Sequence, residues 1–480
     1  MRYNEKGLNM KTIKNYLYSS LYQLFLIIVP FVTIPYVSRV LGAELIGINS
    51  YTNTILSYFV LLANLGILMY GNRTVAYYRD SIEHRSKKFW EIISLKLIVS
   101  AIVYFLFLIF VFFYPNYRLI FMIQSVQIIA TALDISWLFD GMEDFKRTVV
   151  RNFLVKLTSV ILIFTFVRSA EDFDKYVWIT VGATLIGNLT LWTYLHHYVV
   201  RIPIKGLKLK EHFNPIISLF IPQIASTIFV SINKIMLGNL STMSQTGYFE
   251  NADKVVRVLL ALVASVGVVI FPKVANAYKN NDKERVLKLT YLTFDAVNII
   301  AIPMVVGIIS ISTIFSTIFF GTEFAGIDTV LSILVLELIF MGYSSVLGSQ
   351  YLIATGQSRY LSIAVLGGIV STAVASILLI PIYGAVGGAI SSVIGEASIM
   401  IVEIWLLRQQ INLLELCKDI QKYFIASFMM YVAIVLISKF SLSIYLALIS
   451  RIVGGGVTYV VGLLLLKPRL IKTLISNYLN

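Results

Sequence analysis

Cysteine is almost missing from this chain: Cys417 is the only one in 480 residues. That excludes a disulfide framework and any thiolate metal cluster. Charge is scarce as well. Asp, Glu, Lys and Arg together make 13% of the sequence, against roughly 25% in an ordinary soluble domain. The four histidines, His84, His196, His197 and His212, lie beside basic loop sequence and outside the apolar runs, so neither a zinc site nor a haem bundle is expected. No Ser/His/Asp arrangement, no carboxylate cluster with metal spacing and no GxxxxGK[ST] loop occurs. The chain therefore reads as neither an ATPase nor any other enzyme. What it has instead is apolar length: 58% of residues are hydrophobic and the mean hydropathy is +0.83.

Apolar runs of 18 or more residues recur throughout, and such runs are membrane-spanning candidates. The expected fold is all-α and integral to the membrane. Fourteen spans are predicted, at 15–37, 47–69, 91–113, 118–139, 150–168, 176–199, 215–237, 247–271, 289–311, 327–353, 361–380, 384–407, 421–438 and 442–466. Each is long enough to cross ~30 Å of hydrocarbon at 1.5 Å per residue. Continuous apolar segments satisfy their backbone inside a bilayer only as helices, and the ten-residue alternation of barrel strands is absent. The first run lacks a small-residue cleavage site and reads as a retained span.

The formal charge of +14 is mainly a topology signal. With the N-terminus inside, nearly all loop cations fall on the cytoplasmic side, including Arg2, Lys146, Arg147, Arg151, Lys205 and Arg469. Only Arg39, Arg118, Arg168, Lys175 and Lys439 fall outside. This positive-inside bias predicts cytoplasmic termini and an even number of spans. It implies attraction to anionic lipid, not to nucleic acid.

An internal repeat is visible. SRVLGAELIGINSYTN (38–53) matches NKIMLGNLSTMSQTGYFENAD (233–253) in its basic residue, its Leu-Gly step and the Gly opening the next span. Similarly, WLFDGMEDFKR (137–147) matches YLIATGQSRY (351–360). Two parallel six-span lobes are expected, 1–212 and 213–410, followed by two additional spans and a tail in 411–480. Parallel repeats are a transporter signature, with binding between the halves.

Ionisable residues within spans are functional candidates by default. Lys96 and Lys156 lie near the cytoplasmic face and are expected to snorkel. Arg39 and Lys234 occupy equivalent places in the two halves. In the eighth span, Glu250–Lys254 and Asp253–Arg257 are i,i+4 pairs with the acid first, the favourable order. They form either a self-neutralised patch or a cationic wall that donates to phosphate oxygens. Asp134, Asp295 and Glu337 either bind a coupling H+ or Na+ or serve as partners for span cations. GGIV (367–370), GAVGGA (384–389) and GGGV (454–457) suit close helix packing.

IPYVSRVLG (34–42), LGILMYGNRTVAYYRD (65–80), DISWLFDGMEDFKR (134–147), KIMLG (234–238), GYFENADKVVR (247–257) and FPKVANAY (271–278) resemble the Wzx-type polysaccharide-transport flippases. These share a superfamily with lipid II flippases and multidrug extrusion proteins. The resemblance runs from about residue 10 to 405. It implies two six-helix lobes around a central cavity with alternating access. It also implies, as substrate, an oligosaccharide on undecaprenyl pyrophosphate, and roles for Lys254 and Arg39 as cavity cations. The expected binding set is Arg39, Lys234, Lys254 and Arg257, with Asp134, Glu250, Asp253, Asp295 and Glu337 as coupling or ion-pair groups. The second span departs from lipid II flippases: it has no arginine before Arg73.

The setting would be the bacterial cytoplasmic membrane, in O-antigen, capsule or exopolysaccharide assembly, beside a polymerase and other assembly proteins. Two alternatives stay open: a cation-coupled multidrug antiporter of the same fold, which would favour an acidic cavity, and a membrane glycan polymerase, which would need a sizeable outward loop.

Overall fold

In the computed structural model, residues 5–203 and 207–472 are described; Arg2 and Lys205 of the topology argument lie outside them. Among these residues all regular structure is helical. Among the described residues eleven helices are long and apolar enough to cross a membrane, against fourteen predicted spans, and helical backbone lies within each of those spans. The fold is all-α and multi-pass, as the apolar runs require.

The chain divides into two compact units, Met1–Ser231 and Ile232–Asn480. The first contains α1 (Glu5–Asn64), α2 (Ile67–Tyr77), α3 (Ile82–Phe113), α4 (Arg118–Ala132), α5 (Ser136–Gly141), α6 (Phe145–Phe166), α7 (Phe173–Trp192) and the start of α8 (Phe213–Leu240). The first two predicted spans run together in α1, broken at Gly42, whose φ of 73° lies in the left-handed region that glycine enters at little cost. α3 begins with Ser81 accepting from the His84 N–H, an ordinary N-cap. Before α7, Asp172 accepts from Lys175 Nζ (2.6 Å) and from the Arg168 and Ser169 N–H groups (2.9 and 3.1 Å). The Lys175 ammonium and these backbone donors hold its carboxyl well below the usual range.

The fourth predicted span is interrupted between α4 and α5. Two carbonyls freed by that break are satisfied from neighbouring helices: Trp192 Nε1 donates to Leu133 O (2.7 Å) and Lys96 Nζ to Asp134 O (2.8 Å). Lys96 is thereby fully buried. This corrects the snorkelling expectation. A broken helix inside an apolar body needs donors for its carbonyls, and an ammonium supplies one at the cost of leaving water.

The second unit continues from α8 through α9 (Met243–Lys279), α10 (Lys283–Phe319), α11 (Ile327–Leu334) and α12 (Glu337–Ser344). A π-helical stretch follows at Ser345–Leu352, then α13 (Ser358–Tyr383), α14 (Ala385–Leu407), α15 (Leu413–Leu416), α16 (Ile420–Ser438) and α17 (Ile444–Leu466). α13 and α14 pack at a glycine seam: a side chain at Gly368 would collide with Ile399, and one at Gly395 with Thr372 Oγ1. The small-residue stretches thus serve close packing. α16 and α17 lie against α10, where Tyr459 donates to Ile299 O (2.9 Å). Arg469, beyond α17, reaches buried Asp295 (Nη2 3.0 Å) and Glu415 (Nη1 3.2 Å).

Candidate functional site

Three of the four expected binding cations meet in the second unit. α8 carries Lys234 and α9 carries Glu250, Asp253, Lys254 and Arg257. The helical period sets the acids and bases of α9 one turn apart, and both anticipated pairs form: Lys254 Nζ to Glu250 Oε1 at 3.0 Å and Arg257 Nε to Asp253 Oδ1 at 2.9 Å. Lys234 crosses from α8 to join them, with Nζ 2.7 Å from Glu250 Oε2 and 3.0 Å from Asp253 Oδ2. Each acid therefore binds two cations.

Exposure is graded through the cluster. The side chains of Asp253 and Glu250 are 4% and 13% exposed, and Lys234 14%, whereas Lys254 and Arg257 reach 38% and 42%. Three cations pair directly with two carboxylates, Lys254 and Arg257 being the more exposed, and the buried side chains of Glu337 and Glu396 also lie in the field of Arg257. Each of the three cations is held by at least one carboxylate, which fixes its donors in place. An anion with several oxygens, above all a phosphate, is the ligand class those donors suit.

Arg39 belongs to α1 in the first unit, and its side chain is exposed. Of the three further carboxylates, Asp295 is fully buried and paired with Arg469. Asp134 accepts from the Ser136 N–H (2.9 Å) at the helix break. Glu337, at the start of α12, is buried and lies in the fields of Asp253, Glu396 and Arg257.

Sequence reasoning missed Glu396 and Glu403 of α14. Both are buried, and Glu403 accepts from Ser344 Oγ at 3.0 Å beside the π-helical stretch. The signal was present: two acids seven residues apart in an apolar run share one helix face. Missed too was a buried chain in the first unit. His212 Nδ1 meets Tyr70 Oη (2.6 Å) and its Nε2 meets Glu91 Oε2 (2.8 Å), while Lys88 Nζ holds the same oxygen at 2.8 Å.

Apolar helices with ionisable side chains clustered between them define a polytopic membrane protein, and comparison with known proteins narrows the class. The chain belongs to the polysaccharide biosynthesis protein family, which matches residues 12–277; the lipid II flippase MurJ family matches residues 152–454. This sets it among the Wzx-type flippases of the multidrug/oligosaccharidyl-lipid/polysaccharide exporter superfamily. A Shigella dysenteriae protein named for O-antigen transport is 26% identical over 384 residues, 78% of this chain and 94% of that protein. One from Escherichia coli K12, named likewise, is 21% identical over 268 residues, 55% of this chain and 65% of that protein. In fold, the chain is similar to lipid II flippase MurJ in an inward closed conformation, with a TM-score of 0.74 at 18% identity, covering 93% of this chain and 98% of that one. It is also similar to an inward-facing MATE multidrug transporter, with a TM-score of 0.60 at 15% identity, covering 81% and 95%.

Proposed function

We propose that this protein moves an undecaprenyl-pyrophosphate-linked oligosaccharide across the bacterial cytoplasmic membrane by alternating access of a cationic cavity. The observation that carries the reading is the cluster on α8 and α9, where Lys254 and Arg257 stand outermost over Asp253 and Glu250, whose side chains are 4% and 13% exposed. A sugar diphosphate cannot cross ~30 Å of hydrocarbon unaided, because moving charge out of water is costly. Cations held in a wet cavity replace part of its hydration while the isoprenoid tail stays in lipid. Arg39 of α1 is proposed as a further phosphate-binding cation. Glu337, beside the cluster, is the carboxylate best sited to take up a coupling H+ or Na+. Relatives named for O-antigen transport and the lipid II flippase family match support the cargo class.

The test is complementation of a strain lacking the gene, with surface glycan and protein level measured together. A charge-assisted hydrogen bond contributes about 1.5–3 kcal/mol, so Lys254→Ala with Arg257→Ala is expected to lower export about tenfold or more. Unchanged export after replacing both Arg39 and Lys254 by alanine, at unchanged protein level, would defeat the cationic-site reading. Drug efflux by the same strain would instead favour the antiporter.

A further inference from the structure

The first unit holds a second feature that the cluster on α8 and α9 does not use. α6 and α7 enclose a groove of about 900 Å³. Its walls are apolar, with Leu154, Leu162 and Ile186 among them, and Leu154 and Ile186 are exposed. Two glycines shape it. At Gly187 a side chain would collide with Val155, so the helices close together there; at Gly182 it would meet nothing, which leaves that turn of α7 open.

One end of the groove is cationic. Lys146, Arg147 and Arg151 stand there with a single acid, Asp144. Arg147 Nε is 2.9 Å from Asp144 and its guanidinium lies 4.6 Å from the Tyr194 ring centroid. Its Nη1 is buried without a hydrogen-bond partner. The positive-inside bias assigns this end to the cytoplasm. Arg151 and Val155 also line a smaller polar pocket of about 320 Å³, which includes Gln127, Asn152 and Lys156.

Length selects the occupant. The lining runs along α6 from Lys146 to Leu162 and along α7 from Trp178 to Tyr194, about 24 Å at the helical rise. A phospholipid chain anchored at one interface reaches only the midplane, ~15 Å into a ~30 Å core. We propose that the α6–α7 groove binds the isoprenoid chain of a polyprenyl diphosphate, with the diphosphate at Lys146, Arg147 and Arg151 and the adjoining polar pocket receiving the first sugar. The inference rests on the proposed function and adds a cytoplasmic docking step that precedes binding at Lys254 and Arg257. Charge complementarity at the mouth and a length beyond one leaflet both favour this lipid over ordinary phospholipid.

The experiment uses the full chain in phospholipid vesicles, a photoreactive undecaprenyl diphosphate as probe, and photoreactive phosphatidylglycerol in parallel. The expected result is diphosphate label on α6 and α7, reduced about tenfold by Gly182→Phe, whose side chain enters open space, and likewise by Thr158→Trp on the opposite wall. Gly456→Leu on α17, where a side chain meets nothing, should keep the label. Undiminished label in both groove-filling variants, label on other helices, or equal labelling of the groove by phosphatidylglycerol would overturn the inference. Translocation of lipid-linked oligosaccharide by the wild type is measured in the same vesicles. Translocation with an unlabelled groove removes this inference and keeps the functional reading; a labelled groove without translocation supports the lipid site and removes the functional reading.

Discussion

Lys234 differs from the other cations of its cluster in being mostly buried while binding two acids. Removing one partner of a buried ion pair typically costs about 3–5 kcal/mol, because the remaining charge is stranded. Lys234→Ala strands Glu250 and Asp253 at once, whereas Lys254→Ala removes a half-exposed group worth about 0–1 kcal/mol. Thermal unfolding of the purified protein should therefore show a marked loss for Lys234→Ala and little for Lys254→Ala, although Lys254→Ala is the one expected to impair export directly. Equal losses in both would contradict the division between a structural and a substrate-facing cation. Lys96 teaches the same lesson in the first unit: its ammonium caps a helix break, so its burial reflects a backbone carbonyl and not a ligand.

Helix breaks and glycine seams decide where side chains can gather. The π-helical stretch after α12 brings the backbone at Gly348 against Glu403, and the α13–α14 seam closes only because Gly368 and Gly395 lack side chains. Overpacking a close-packed contact typically costs about 1–3 kcal/mol. Gly395→Leu is thus expected to lower the unfolding temperature and the amount of protein inserted, whereas Gly456→Leu on α17, where a side chain meets nothing, should do neither. Immunoblots of membrane fractions and thermal unfolding check the contrast.

The last helices and the tail are tied into the second unit by charge as well as by apolar packing. Arg469 spans Asp295 of α10, Glu415 of α15 and the Asp419 carboxylate, which accepts from the Arg469 N–H at 2.6 Å. Asp295 is fully buried, so Arg469→Ala leaves an uncompensated charge in an apolar body. Limited proteolysis should then cut the segment after α17 sooner than in the wild type, and Arg469→Lys should restore part of the protection. Indistinguishable digestion of the three proteins would show that apolar contacts alone hold the tail.

The sequence by itself determined what repeats along one dimension. Apolar run length gave the helices, because a lipid-exposed backbone has no other way to satisfy itself, and the 3.6-residue period gave the Glu250–Lys254 and Asp253–Arg257 pairs. Tertiary structure decided whatever depends on how one helix is rotated against another. Lys234 joining both acids, Glu396 and Glu403 facing α12, Lys96 reaching the Asp134 carbonyl and the groove between α6 and α7 all belong to that second kind. No local period encodes them, because each is fixed by which face a neighbouring helix presents.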